Sequence, residues 1–242
     1  MHEASLHDEN CFITLTYGDE HLPDYGSLDR RAFPLFMKRL RKRTGERIRY
    51  YHCGEYGDEN ARPHYHALLF GFNFGDRVQW TVRRGIPVHR SRLLEELWPF
   101  GLSEIGTVTF ESAAYCARYV VKKVTGLAAR EHYARVDPET GEIVQIEPEY
   151  ATMSRRPGIG LNWLKLYGEE TYRDDSVICR GRPMKPPRYY DEKYEETDPE
   201  AVEDVRRARR DKRDFKEESR KRLVVREECA RARNSLSKRR VE

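Results

Sequence analysis

The order of apolar and polar positions divides the chain into short elements. Cys11-Phe12-Ile13-Thr14-Leu15-Thr16-Tyr17 alternates bulky β-prone residues with threonine and predicts a strand. A loop follows from Gly18 to Ser27. Over Leu28–Arg43 the period changes: Phe33, Phe36, Met37 and Leu40 share one face of a helix whose outer face is basic. Ile48–Glu55 predicts a second strand, residues 57–63 a turn and His64–Phe72 a third strand, so these two strands form a hairpin. A short helix is expected over Arg90–Trp98, a strand over Leu102–Phe110 and a helix over Glu111–Val124, with Gly126 just past its end.

After Thr125 the periodicity weakens. Residues 153–160 read as a basic, glycine-containing loop, Asn162–Tyr172 as a short helix, Pro183–Tyr190 as extended, and Glu200 onward as a charged, helix-prone tail. The residues before Asn10 are polar with helical spacing. Strand, helix, two strands, helix, strand, helix is an α+β order with a central antiparallel sheet flanked by helices, not a doubly wound parallel one. The expected divisions are 1–127 for this domain, 128–198 for an accessory region and 199–242 for a charged helical or disordered tail.

Composition narrows this picture. The chain has 242 residues, 36% of them charged and 38% hydrophobic, so one substantial domain with a modest core plus an appendage is expected. The net charge of +4 hides an uneven distribution: residues 206–240 hold 16 Lys/Arg against 6 Asp/Glu, which suits a polyanionic partner. No run reaches transmembrane length and no secretory signal opens the chain, so no membrane partner is expected. The five cysteines form no C-x-x-C pair; Cys11, Cys53 and Cys116 lie in apolar surroundings and read as small core residues of a cytosolic protein.

His64-Tyr65-His66 is the most informative triplet. On a strand, residues i and i+2 project from one face, so both imidazoles can share one divalent cation while Tyr65 enters the opposite layer. Glu55, at the end of the preceding strand, is the candidate third ligand, and its hard oxygen suits Mg²⁺ or Mn²⁺. Asp58 and Glu59 in the turn are weaker candidates. The plain alternative is two edge histidines and an exposed hairpin carboxylate.

A second constellation lies in Tyr115-Cys116-Ala117-Arg118-Tyr119-Val120-Val121-Lys122-Lys123. On a helix Tyr115 and Tyr119 are i and i+4, and Lys122 shares their face. Tyrosine, with an ordinary pKa near 10, is a slow nucleophile unless a neighbouring ammonium or a metal-polarised electrophile assists it. The alternative is core packing of two tyrosines with wet hydroxyls. A metal platform beside such a helix points to phosphoryl transfer, in which a tyrosine attacks a DNA phosphate.

These segments together resemble the HUH endonucleases, and within them the replication initiator proteins of microviruses, the gokushovirus branch above all. Phe12-Ile13-Thr14-Leu15-Thr16-Tyr17 is similar to the first family motif, Arg62-Pro63-His64-Tyr65-His66-Ala67-Leu68-Leu69 to the metal-binding motif, and Ala114 to Lys123 to the tyrosine motif. The resemblance covers roughly Met1 to Tyr190, although the chain starts closer to the first motif than the family usually does. It implies an RRM/ferredoxin-like HUH domain with His64, His66 and Glu55 as metal ligands. Tyr115 and Tyr119 would be alternating nucleophiles, with Lys122 and Lys123 beside them in the catalytic group. It further implies metal-dependent nicking and rejoining of origin DNA through a 5′-phosphotyrosine, starting rolling-circle replication in the host bacterial cytoplasm. No G-x-x-x-x-G-K-[ST] loop is present, so a host helicase and the host replication machinery are expected partners.

Arg62 and Arg118 within the motifs, and Arg155 and Arg156 in the glycine loop, are the expected DNA contacts. Arg83, Arg84 and Arg90, with Trp80, Trp98, Trp163 and Tyr167 interleaved, add the mixture of cations and rings that single strands favour, unless they are merely solvated faces and core rings. Two other functions compete: an HUH transposase or relaxase, and a DNA-binding module in which the histidines hold a structural metal.

Overall fold

The computed structural model describes residues 1–57, 60–213 and 217–238, without the side chains of residues 119–122, 234 and 236–238. The chain forms two compact units, Met1–Gly160 and Leu161–Glu242.

In the first unit a short 3-10 turn, Ala4–Leu6, precedes strand β1, Asn10–Thr16. Helix α1, Ala32–Thr44, carries Pro34 in its first turn and ends at Gly45, whose positive φ of 74° closes the helix without a Cβ clash. Strands β2, Arg49–Tyr56, and β3, Pro63–Phe70, form the expected hairpin. A second hairpin follows, β4 (Val78–Arg83) and β5 (Ile86–Arg90), then α2 (Arg92–Leu97), β6 (Ser103–Gly106) and α3 (Phe110–Lys122). The unit closes with α4 (Ala128–His132), the small ladder β7 (Ala134–Val136) with β8 (Ile143–Gln145), and β9 (Tyr150–Met153).

Seven strands make one antiparallel sheet in the order β4-β5-β6-β1-β3-β2-β9. Alternation along β1 and β3 divides the interior into two layers. Ile13, Leu15, Tyr65 and Leu69 pack with Phe33, Phe36, Leu40 and Trp98 from the α1 side. Phe12, Leu68 and Phe70 face Ala113, Tyr115 and Cys116 of α3. Cys11, Cys53 and Cys116 are buried and unpaired by disulfides.

The expected strand over Leu102–Phe110 is shorter, because Thr109 turns the chain into α3 by a capping box: Thr109 Oγ1 accepts from Ser112 N at 3.2 Å and Ser112 Oγ from Thr109 N at 2.9 Å. The short helix is likewise trimmed to α2, where Ser91 Oγ accepts from Leu94 N at 3.1 Å. The hairpin β4–β5 and the edge strand β9 were not anticipated from the sequence; β9 draws residues beyond 127 into the main sheet.

The second unit packs α5 (Leu161–Arg173), the ribbon β10 (Val177–Cys179) with β11 (Arg182–Met184), α6 (Arg188–Tyr194), α7 (Pro199–Asp211) and α8 (Arg220–Lys238). The segment expected to be extended over Pro183–Tyr190 is extended only at its start; beyond Pro187 it turns into α6, a proline preceding the first helical residue. Leu164, Tyr172, Tyr190, Val202 and Val205 form its core. Arg209 is clamped between Asp191, at 2.7 Å, and Asp175, at 2.5 Å. Among the described residues no helix is long and apolar enough to cross a membrane.

Candidate metal centre and tyrosine helix

The centre is a product of strand register. In the β2–β3 ladder Glu55 stands directly opposite His64, and Cys53 opposite His66; in the β1–β3 ladder Thr14 stands opposite His66. Directly opposed residues share a face. Glu55, His64, His66 and Thr14 therefore project together on the α3 side, while Tyr65 and Gly54 project to the other. Gly57 leaves room for the outer histidine, since a Cβ there would lie 3.2 Å from His64 Cε1.

Glu55 Oε1 lies 3.0 Å from His64 Nε2 and 2.8 Å from His66 Nε2. One ligand atom from each of the three residues falls within 4.8 Å of the others. The two Nδ1 atoms are engaged elsewhere. His64 Nδ1 meets the Arg62 carbonyl at 2.9 Å, and His66 Nδ1 meets Thr14 Oγ1 at 3.0 Å. A carbonyl only accepts, so His64 Nδ1 carries the proton and its Nε2 is the nitrogen a cation would take. Outer hydrogen bonds of this kind fix the tautomer and ring angle of metal-binding histidines. His66 is further held by stacking on Phe12, with ring centroids 5.6 Å apart and planes within 4°.

Glu55 is only 2% exposed. Burial by itself raises a carboxyl pKa, but the hydrogen bonds from His64 and His66 outweigh it and hold Glu55 below its ordinary value. The site thus presents an ionised hard oxygen and two imidazole nitrogens converging on one point, a donor set that suits a divalent cation.

Helix α3 brings Tyr115 onto this cluster. Its hydroxyl donates to Glu55 Oε1 at 2.9 Å and lies 3.5 Å from His66 Nε2. The ring meets His66 edge to face at 4.9 Å. Cys116 packs in the same layer as Cys53 and Leu68, which seats this turn of the helix. Tyr119 and Lys122 follow on α3, but their side chains lie outside the described ones, as do Asp58 and Glu59 altogether. Lys123 is the exposed residue that follows the helix.

The expected DNA contacts are spread more widely. Arg62 donates to the Tyr17 carbonyl at 2.9 Å and pairs with Asp19, so it braces the loop after β1. Arg118 is half-buried on α3. Arg155 and Arg156 are exposed in the turn after β9. That turn is anchored by Arg49, whose Nη2 donates to the Pro157 and Gly158 carbonyls at 2.9 and 3.2 Å while its Nε meets Glu3 at 2.5 Å. Thr14 was not singled out from sequence as a positioning residue; the available signal was its place in the Phe12/Thr14/Thr16 alternation, which marks the α3-facing side of β1.

Residues 10–124 match the replication-associated protein ORF2 family. The chain is 34% identical over 209 residues to replication-associated protein VP4 of Bdellovibrio phage phiMH2K, covering 82% of this chain and 62% of that protein. It is 34% identical over 201 residues to replication-associated protein ORF2 of Spiroplasma virus 4, covering 77% and 58%. It is 30% identical over 205 residues to replication-associated protein ORF4 of Chlamydia phage 1, covering 78% and 46%. The chain thus spans between about half and three fifths of the length of these relatives. No solved structure matches it. The segment that matches begins with β1 and ends just beyond α3, so it contains every residue of the Glu55–His64–His66–Tyr115 cluster, and through it the chain belongs to the replication-associated protein ORF2 family.

Proposed function

We propose that this chain is a replication initiator of a small DNA phage that nicks and rejoins single-stranded origin DNA through a 5′-phosphotyrosine. The observation that carries the reading is the Tyr115 hydroxyl, 2.9 Å from Glu55 and 3.5 Å from His66, inside the only His/Cys/Asp/Glu cluster of metal-binding geometry among the described residues.

Glu55, His64 and His66 are the residues that would hold Mg²⁺ or Mn²⁺. A divalent cation bound there supplies Lewis-acid polarisation of the scissile phosphate. Tyr115 Oη attacks phosphorus, and the bond to the 3′-oxygen breaks. The phenolic proton leaves along the hydrogen bond to Glu55, and the departing 3′-oxygen takes one up. The phosphodiester is exchanged for a phosphotyrosine ester, so rejoining needs no nucleotide cofactor. Helical spacing supports Tyr119 as the second nucleophile that receives the next 5′ end, with Lys122 and Lys123 close in sequence to stabilise a phenolate. Arg62, Arg118, Arg155 and Arg156 are the proposed contacts to the strand. A host helicase and polymerase would supply strand opening and synthesis in the host cytoplasm.

The test is a covalent adduct. Wild-type protein, an origin-containing single strand and Mn²⁺ should yield a protein–DNA species stable to denaturation, mapping to Tyr115 or Tyr119. No adduct from the wild type would sink the reading, and an adduct that survives the double change Tyr115→Phe/Tyr119→Phe would remove both nucleophiles from it. Burial of Glu55 and His66 favours one rival, a structural metal in a DNA-binding module. That rival expects chelation to unfold the protein, whereas the catalytic reading expects a folded, inactive chain.

A further inference from the structure

The hairpin β4–β5 forms one end of the sheet and is exposed nearly throughout. Val78, Trp80, Val82 and Ile86 are 68, 58, 51 and 53% exposed. Apolar side chains gathered on an outer strand are unusual in a soluble domain and mark a contact surface. The ladder also contains a bulge. Gln79 pairs with His89 and Thr81 with Val88, so Trp80 is the extra residue with no partner opposite it. Bulges re-aim a side chain, and this one turns an indole outward. Arg90 Cζ lies 5.2 Å from the indole centroid, and no other ring or hydrogen bond meets the indole among the described residues.

Charge identifies the partner. From Arg77 to Leu94 the chain holds five arginines and one histidine and not one Asp or Glu. Arg83 is tied to Glu104 by two bonds of 2.6 and 2.7 Å, which fastens the hairpin to β6. Arg84 sits exposed at the turn, where its φ of 51° and that of Gly85, 78°, reverse the chain. Arg77 is exposed at the base. An upright aromatic ring among cations suits a polyanion with free base faces, which a single strand offers and a duplex keeps stacked.

We infer that the β4–β5 hairpin is a second DNA contact, a single-strand platform on which Trp80 stacks a base while Arg77, Arg84 and Arg90 face the backbone. It rests on the reading that this chain handles single-stranded DNA, but not on the nicking chemistry. The platform lies on the far side of β1 and β6 from the β2–β3 ladder that carries Glu55, His64 and His66. It would therefore hold the strand at a distance from the scissile phosphate.

The experiment uses the full chain and a fluorescein-labelled oligothymidylate without metal, so that nicking plays no part. Trp80→Ala should weaken binding about 5- to 100-fold, the range for loss of one base–aromatic stack, and Trp80→Phe should recover most of it. Arg84→Gln should lower the slope of log affinity against log salt by about 0.7, as for one lost phosphate contact on a single strand. Circular dichroism should be unchanged in all three, since Trp80 and Arg84 are exposed. Wild-type affinity in Trp80→Ala would overturn the proposal. So would a change of oligomeric state in Trp80→Ala with DNA affinity intact, which would make the hairpin a contact between copies. If binding depends on Trp80 but no covalent adduct forms with origin DNA, the platform stands and only the nicking reading falls.

Discussion

His52 gives the first unit a titration that can be worked through. It lies on β2, on the face opposite Glu55, and is wholly buried. Its ring stacks on Phe33 with centroids 3.7 Å apart and planes 7° apart. Nδ1 meets Thr152 Oγ1 at 2.9 Å, and Nε2 has no partner. Burial, and secondarily the nearby His66, push its pKa from an ordinary 6.5 down to about 3. The unfolded chain therefore takes up this proton first. Stability is whole above pH 6.5 and is lost as pH falls from there toward 3, where protonation of the folded state ends the loss. The two values span roughly 3.5 pH units, so the full effect approaches about 5 kcal/mol at 1.36 kcal/mol per unit. At pH 5.5 it amounts to about 1.4 kcal/mol by the same linkage. The measurement is urea unfolding at pH 7.5 and 5.5, followed through the buried Trp98, for wild type and His52→Phe. The variant keeps the stack on Phe33 and loses only the Thr152 bond. Acidification should cost the wild type about 1.4 kcal/mol more than the variant, or about 0.5 to 1 M in midpoint for an ordinary urea slope. Carboxylates such as Glu3 and Asp76 titrate alike in both proteins and cancel. Equal acid losses in the two would refute a neutral, buried His52.

Three further outcomes follow. Saturating Mn²⁺, at roughly 100 times its dissociation constant, should stabilise the wild type by about 2.7 kcal/mol, raising Tm by about 5 to 10 °C, and should leave His64→Ala unmoved in the same thermal scan. Tyr115→Phe should fold and bind metal like the wild type in that scan, yet form no adduct at position 115 and nick origin DNA roughly 10³-fold or more slowly if no other group replaces it. Glu3, nearly inaccessible, is hydrogen-bonded by Gly160 N at 2.7 Å and by Arg49; burial raises its carboxyl pKa, and these two partners more than offset it. Its contribution is present above the ordinary carboxylate range and fades as pH falls through the lowered value. Glu3→Gln should cost roughly 3 kcal/mol in urea unfolding at pH 7, because Arg49 is left buried without its counter-charge.

The elements legible in the sequence are those whose pattern is imposed by burial. Strand β1 and helix α1 show their periods because Ile13 and Leu15, or Phe33, Phe36 and Leu40, must meet one core. Hairpin β4–β5 shows none, because its residues are exposed on both faces and no core selects their alternation. Trp80 and Trp98 look alike in sequence, yet one is turned outward by a bulge and the other lies in the core with its Nε1 donating to the Thr16 carbonyl at 2.8 Å. The spacing of Tyr115 and Tyr119 gives a shared helical face but not which residue touches the cluster. That depends on how α3 docks, which is decided by Cys116 packing beside Cys53 and Leu68.

Glu55 was legible for a stricter reason. In an antiparallel hairpin the pairing across one rung dictates every other rung, so the Tyr56–Pro63 rung at the turn implies Glu55 opposite His64 and Cys53 opposite His66. Moving the register by one residue would set Glu55 opposite Tyr65 and turn it into the α1 layer, away from both histidines. The register is guarded from both sides. Leu68 and Phe70 must face α3 while Tyr65, Ala67 and Leu69 face α1, and a slip would exchange these two sets. Gly54 adds a steric lock, since a Cβ there would come within 2.8 Å of the Tyr150 ring that β9 places against it. The same apolar alternation that fills the two layers thus holds the carboxylate and the imidazoles on one face, and the metal-binding geometry is a consequence of how the core is divided.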